Sequence, residues 1–288
     1  MKENEQDRLT LSLIQADLVW EDVPANLKNF EKAFRDVPSE LDLLVLPEMF
    51  STGFSMQVEK LAEPMSGPAV RWMTRQAASL KAVVAGSLMI AESGLFYNRF
   101  VFAFPNGELL WYDKRHLFSM GRETVFFSPG NQRQIIQIKG FRILPQICYD
   151  LRFPVFARNR NDYDLYLNCA NWPAPRQEVW DCLLKARAIE NQCYVAAVNR
   201  VGTDANGIRY SGHSQILDAR GRSLHEVAAN KAVITARLSL GTLQKSGKNS
   251  RFYPMPTTSV SNFLLSICLS TCCSITHFAL FAVPNLLF

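Results

Sequence analysis

The first ninety residues alternate short apolar runs with segments of helical period, and that alternation restricts the chain to a sheet covered by helices. "LTLSLIQADL" (9–18) has the length and residue types of a strand. "NLKNFEKAF" (26–34) places apolar side chains at helical spacing, and "LDLLVLPEMF" (41–50) is an apolar run cut short by Pro47. "AVRWMTRQAASL" (69–80) is an amphipathic helix and "AVVAGSLMI" (82–90) a further strand. The order strand, helix, strand, helix, strand predicts a layered α/β fold.

Hairpins follow. "LFYNRFVFAF" (95–104) and "LLWYDK" (109–114) flank the turn "PNGE", in which Asn-Gly favours chain reversal. "RQIIQI" (133–138) and "FRILPQIC" (141–148) flank "KG" in the same way. Beyond them the pattern predicts a short helix in "FARNRND" (156–162), a strand in "YDLYLNCA" (163–170) and a helix over 177–192. That helix has an apolar stripe of Val179, Cys182, Leu183, Ala186 and Ile189. "CYVAAVNRVG" (193–202) reads as a buried strand, 213–227 as a hairpin around "ARGR", and "AVITARLSL" (232–240) as the last strand. Hairpins mixed with helix-linked strands imply a mixed sheet.

With 288 residues, 48% of them hydrophobic, the chain is long enough for one large core, and no linker interrupts it before about residue 245. The net charge of +5 is mild, and no basic stripe with interleaved aromatics is present, which argues against nucleic acid as a partner. The start, "MKENEQDRLT", is polar and lacks the apolar core of a secretory signal, so a cytoplasmic location is expected. The cysteines at 148, 169, 182, 193, 268, 272 and 273 are odd in number and form no Cys-x-x-Cys pair, and the four histidines are scattered. Neither a disulfide framework nor a metal centre is expected, and no cofactor. Cys169, Cys182 and Cys193 read as small core hydrophobes.

Three polar residues stand out because each ends an apolar strand-like run: Glu48 after "LLVLP", Lys114 after "LLWYD" and Cys148 after "RILPQI". Open α/β sheets bind ligands at strand carboxyl ends. Taken singly, Glu48 is an ordinary loop acid, Lys114 a hairpin-end charge and Cys148 a core thiol. Together they have the parts of a nucleophilic centre. An ammonium favours the thiolate and a carboxylate accepts its proton. At about 4 Å and an effective dielectric near 20, such an ion contact is worth about 4 kcal/mol before desolvation. One pKa unit corresponds to about 1.4 kcal/mol. A Cys–His hydrolase using His116 is the rival arrangement, with a loop hydrogen-bonding role as the plainer account of that residue.

"LPEMFSTGF", "YDKRHLF" and "CYDLRFP" resemble, in order, the three signature segments of the nitrilase superfamily, the carbon–nitrogen hydrolases. The resemblance runs on through "NWPAPR" (171–176), 183–202 and "SGHSQILDARG" (211–221), covers about residues 9–245, and is strongest to the ω-amidase branch. It implies an α-β-β-α sandwich subunit with mixed sheets that usually pairs into a dimer. It also implies hydrolysis of the terminal amide of a small 2-oxo dicarboxylic acid monoamide, such as 2-oxoglutaramate, to the acid and ammonia. Cys148 would attack the carbonyl and form a thioester, with Glu48 moving the proton. Lys114 and the Tyr149 backbone N–H would hold the oxyanion, and Glu123, in "GRETVFFSPG", would orient Lys114 or the substrate.

Arg152 and Arg176 are candidates for a substrate carboxylate, which guanidinium binds bidentately, and are otherwise surface ion-pair formers. Phe54 and Trp172 flank strand ends and are candidates for the pocket wall or for the core. A nitrilase or another aliphatic amidase would use the same centre on a different substrate, and a non-catalytic binding protein would keep the fold alone.

The domain is expected to span residues 1–245 and to be followed by an atypical apolar tail, 246–288, in which no Asp, Glu, Lys or Arg follows Arg251. Three readings of the tail stay open. It is a membrane contact through 259–288, with Lys245, Lys248 and Arg251 on the near side; an altered reading frame; or an extra buried element.

Overall fold

The computed structural model describes residues 7–225 and 230–249. The strands are β1 (Arg8–Gln15), β2 (Leu43–Val45), β3 (Val83–Glu92), β4 (Leu95–Ala103), β5 (Leu109–Asp113), β6 (Ile136–Ile138), β7 (Phe141–Ile147), β8 (Leu165–Ala170), β9 (Tyr194–Asn199), β10 (Val201–Thr203), β11 (Arg209–Ser211), β12 (Gln215–Leu217) and β13 (Ala232–Ser239). The helices are α1 (Val23–Ala33), α2 (Val58–Leu61), α3 (Pro68–Leu80), α4 (Glu123–Phe126), α5 (Pro154–Ala157), α6 (Gln177–Asn191) and α7 (Leu240–Asn249).

Two mixed sheets carry the fold. The first has the order β13-β1-β2-β3-β4-β5 and the second β12-β9-β8-β7-β6, while β10 and β11 form a separate hairpin. The centres are parallel (β1, β2, β3 and β7, β8, β9) and the outer strands antiparallel. Alternate side chains of the first sheet enter different cores. Leu11, Leu13, Leu43, Val45, Phe100 and Phe102 pack against second-sheet residues such as Ile143, Ile147, Leu165 and Leu167. Ile14, Leu44, Leu46, Val84 and Val101 pack against Phe30, Val70, Trp72 and Met73 from the α1 and α3 layer. Because both faces are covered, these strands read as continuous apolar runs instead of alternating ones. Burying each large side chain contributes about 1.5–3 kcal/mol. The architecture is the expected α/β sandwich of mixed sheets.

Local signals explain the helix ends. Asp22 caps α1 by accepting from Ala25 N–H at 2.9 Å, so that helix starts three residues before the periodic stretch. Pro68 opens α3, and Lys81 ends it in the left-handed region at φ 53°.

Four expectations are corrected. Helix α6 buries Trp180, Leu184, Arg187, Ala188 and Asn191; of the expected stripe, Val179 and Leu183 pack half-buried against the core, Ala186 is half-buried, and Cys182 and Ile189 are exposed. A charged residue faces inward because both terminal nitrogens of Arg187 find acceptors there, Nη2 donating to Leu151 O and Nη1 to Glu190 Oε1. Ile189 is therefore 53% exposed, and Cys182 is exposed instead of a core hydrophobe. The helix expected at 156–162 is α5, earlier and shorter. From Arg158 the chain turns, with Asn159 tied to Tyr163 O and Asn191, and Asn161 left-handed at φ 62°. The run 193–202 is broken at Arg200 into β9 and β10. The possible membrane contact through 259–288 lies outside the described residues. Among the described residues, no helix is long and apolar enough to cross a membrane.

Candidate active site

Each of the three chemistry-bearing residues sits just past the end of a strand. After β2 the chain makes one more ladder bond, Leu46 N–H to Ala85 O at 2.7 Å. Pro47 then ends the ladder, and Glu48 enters a turn in which Met49 has φ 43° and the N–H groups of Thr52 and Gly53 both reach Met49 O. Lys114 follows β5 and is pinned by its own backbone, N–H to Asn98 O at 2.9 Å and O from Gly130 N–H at 2.9 Å. Cys148 follows β7 in the left-handed region, at φ 45°, and begins a 3-10 turn, Cys148–Arg152. Its N–H donates to Asn168 Oδ1 at 3.2 Å.

The side chains meet in a closed polar cluster. Lys114 Nζ donates to Glu48 Oε1 at 2.8 Å and to Glu123 Oε2 at 2.7 Å, all three side chains being fully buried. Asn98 Nδ2 donates to Glu48 Oε1 at 2.9 Å and to Glu123 Oε1 at 3.0 Å. Glu123 Oε2 also accepts Phe118 N–H at 2.7 Å, and Glu48 Oε2 accepts Asn171 N–H at 2.9 Å. Glu123, weighed in the sequence against an ordinary surface role, is wholly inside and on Lys114.

Electrostatics set the resting state. Burial opposes the Lys114 charge, but Glu123 and then Glu48 outweigh it and hold the ammonium well above the usual lysine range. Burial first, and then the Glu48 charge, push the Cys148 thiol well above its ordinary value. Lys114 acts against them and Glu123 with them, and the thiol reaches Asn171 O at 3.9 Å. Of the two routes the sequence offers, this balance favours proton transfer to Glu48 over a thiolate held by Lys114. Two carboxylates face one ammonium, so the local charge is already negative and the resting sulfur keeps its proton.

Cys148, 8% exposed, opens into a cavity of about 680 Å³. Phe54, Tyr149, Arg152, Trp172 and Arg176 all line it. The Arg152 guanidinium lies 5.3 Å from the Trp172 ring centre, and that of Arg176 lies 5.2 Å from the Phe118 ring centre. Among the described residues neither arginine has an acidic partner. Tyr149 is the second residue of the 3-10 turn, where an N–H has no carbonyl partner within the turn.

His116 lies apart from the acid–amine cluster. Its ring stacks on Phe153 with centroids 3.7 Å apart, and its Nδ1 and N–H both meet Asp150 Oδ1, at 2.7 and 2.9 Å. Buried Asp150 also accepts from Tyr112 OH and Ile147 N–H, tying the lysine loop to the cysteine turn. Cys169 and Cys193 are buried as expected.

Asn98, Ser87, Asp150 and Asn171 were not singled out from the sequence. A signal existed for both Asn98 and Ser87: Ser87 is a polar residue in mid-run of the apolar β3, and Asn98 with Arg99 interrupts the apolar residues of β4, and a buried polar group needs partners.

Comparison with known proteins gives one family. The sequence model described as carbon-nitrogen hydrolase matches residues 10–248. The chain is 46% identical over 240 residues to "Omega-amidase YafV" of Escherichia coli (strain K12), covering 82% of this chain and 92% of that protein. It is 33% identical over 236 residues to "2-oxoglutaramate amidase" of Bacillus subtilis (strain 168), covering 80% and 91%. The crystal structure of a CN-hydrolase superfamily protein from Xanthomonas campestris, with an arsenic adduct in its active site, superposes with a TM-score of 0.81. That protein is 40% identical, and the match covers 85% of this chain and 98% of its own.

Proposed function

The chain belongs to the carbon–nitrogen hydrolase family and is an amidase, and from that premise we propose that it is an ω-amidase, removing the terminal amide of a 2-oxo dicarboxylic acid monoamide such as 2-oxoglutaramate. One observation carries the substrate assignment. Arg152 and Arg176 line the cavity into which Cys148 opens, and among the described residues neither is neutralised by an acid. A substrate carboxylate supplies the missing counter-charge, with the amide carbonyl at the sulfur. The relatives named for ω-amidase and 2-oxoglutaramate amidase activity support the same reading.

In this proposal the Cys148 sulfur attacks the amide carbonyl while its proton passes to Glu48, so no free thiolate accumulates. The carbonyl electron pair moves to oxygen, which Lys114 Nζ and the Tyr149 N–H stabilise. Collapse breaks the C–N bond, and nitrogen takes the proton from Glu48 and leaves as ammonia. Glu48 next takes a proton from water as the hydroxide equivalent adds to the thioester. Collapse expels sulfur, which recovers that proton, and the acid departs. Lys114 stays protonated throughout, and Glu123 keeps it in place.

The test is ammonia release by the full chain from 2-oxoglutaramate and from a neutral aliphatic amide of equal length. Strong preference for the oxo acid, abolished in Cys148→Ala, is expected. Equal rates on both amides would remove the arginine clamp, and full activity in Cys148→Ala would remove the nucleophile. We further infer a cytoplasmic homodimer, the pairing that the family resemblance implies. A monomer in sedimentation at working concentration would overturn the dimer.

A further inference from the structure

We propose that Asn98 is a positioning residue whose carboxamide, with its orientation fixed by Ser87, keeps both Glu48 and Glu123 ionised around Lys114. The proposal rests on Glu48 acting as the base.

Two buried carboxylates sharing one ammonium carry a surplus negative charge, which favours proton uptake by one of them. A base that has already taken a proton cannot take the one on the thiol. Asn98, wholly buried on β4, sends both N–H bonds of one nitrogen into this conflict, 2.9 Å to Glu48 Oε1 and 3.0 Å to Glu123 Oε1. Hydrogen bonds given to the charged form favour it. Burial pushes the Glu123 carboxyl up, and Lys114 and the Asn98 bond are among the groups that pull it back.

The carboxamide has a wrong orientation as well as a right one, since its oxygen in the same place would repel both acids. The structure excludes the wrong one through a chain of fixed polarity. Met49 N–H donates to Ser87 Oγ at 2.8 Å, so the hydroxyl proton is directed elsewhere. It goes to Asn98 Oδ1 at 2.9 Å, which accepts only. That turns Nδ2 toward the glutamates. Met49 follows Glu48 in sequence, so the loop that carries the base also starts the chain that orients its partner. The charged and titratable groups around Glu48 are Lys114 after β5, Glu123 on α4, Cys148 after β7, and Cys169 on β8, whose thiol is pushed up by burial and then by the Glu48 charge.

The test compares wild type with Asn98→Asp, Asn98→Ala and Ser87→Ala, reading kcat, KM and the pH profile of kcat/KM for monoamide hydrolysis. Asn98→Asp replaces the donor by a third carboxylate at equal size. Its kcat is expected to fall about a hundredfold or more, with KM changed by no more than a few-fold. The acidic limb of kcat/KM moves to higher pH in all three variants, least in Ser87→Ala. A purely structural role lowers the melting temperature and leaves that limb in place, so an unmoved limb overturns the proposal, as does a loss confined to KM. If Asn98→Asp fails to fold, Asn98→Ala and Ser87→Ala decide on the limb alone. Cys148→Ala and Glu48→Gln are run alongside. Turnover by either would sink the catalytic reading itself, whereas dead controls with unmoved limbs in the Asn98 and Ser87 variants would sink only this proposal.

Discussion

Asn171 holds Glu48 twice, its backbone N–H donating to Glu48 Oε2 at 2.9 Å and its Nδ2 to the Glu48 carbonyl at 2.8 Å. The two residues are 123 positions apart and follow strands of different sheets, so this contact joins the two halves of the sandwich at the reacting centre. Asn171→Ala keeps the backbone tie and strands a buried carbonyl, at a cost of about 1–3 kcal/mol. Calorimetry is expected to show a lower melting temperature, by about 2–4 °C for each kcal/mol lost. An unchanged melting temperature would mean the side-chain tie contributes nothing.

Lys114→Met leaves two buried carboxylates without their cation, which costs about 3–5 kcal/mol at neutral pH in addition to the loss of turnover. The pH dependence has a definite sign. Without the cation the folded-state pKa values of the acids rise above the unfolded value near 4.3. The variant's deficit is therefore small at low pH and grows as pH rises through that value toward the folded pKa. Urea unfolding at a series of pH values measures this, and a deficit independent of pH would contradict the charge account.

The Cys148 proton is the subject of a third prediction. Because burial and Glu48 hold the thiol well above its ordinary range, the ultraviolet thiolate band, taken as wild type minus Cys148→Ser, stays absent up to about pH 8.5, where a free thiol would be half ionised. A thiolate band already present at neutral pH would require an ion-pair mechanism in place of a concerted proton transfer.

Arg176→Ala and Arg152→Ala are expected to weaken use of oxo-acid monoamides by about tenfold to a hundredfold in kcat/KM, the range of a lost charge-assisted bond. Neutral amides serve as the control and change little. Lysine at the same positions restores only part, because it lacks the planar fork. Parallel losses on charged and neutral amides would show that these residues only shape the wall.

His116→Asn tests the rival catalyst. The imidazole is occupied by Asp150 and stacked on Phe153, so the variant is expected to keep turnover within a few-fold while losing about 1 kcal/mol of stability from the broken bond. Total loss of ammonia release in a folded variant would reinstate a Cys–His centre.

The layered fold was legible because strand-length apolar runs and helical periods follow from how the sheets are covered. The cluster was legible because Glu48, Lys114 and Cys148 each end such a run. The buried face of α6 was misread for a definite reason: Arg187 counts as polar in any periodicity, and its burial depends on the carbonyl of Leu151, 36 residues away, together with Glu190 on its own helix. The thiol's charge state was not legible for a similar one. One lysine is visible beside the cysteine in the motifs, but the balance depends on both Glu48 and Glu123 closing on it from separate loops. Asn98 and Ser87 carry no motif at all. Their importance lies in bond directions, which depend on the pairing of β3 with β4 and on the turn after β2.

Cys148 holds its φ of 45° against the preference of any side chain bearing a Cβ, and glycine alone adopts that geometry freely. The protein would therefore be sturdier with its nucleophile erased: Cys148→Gly is expected to melt above Cys148→Ala while being equally inert. Selection for heat resistance alone would push this position toward glycine, and only selection for turnover keeps sulfur there.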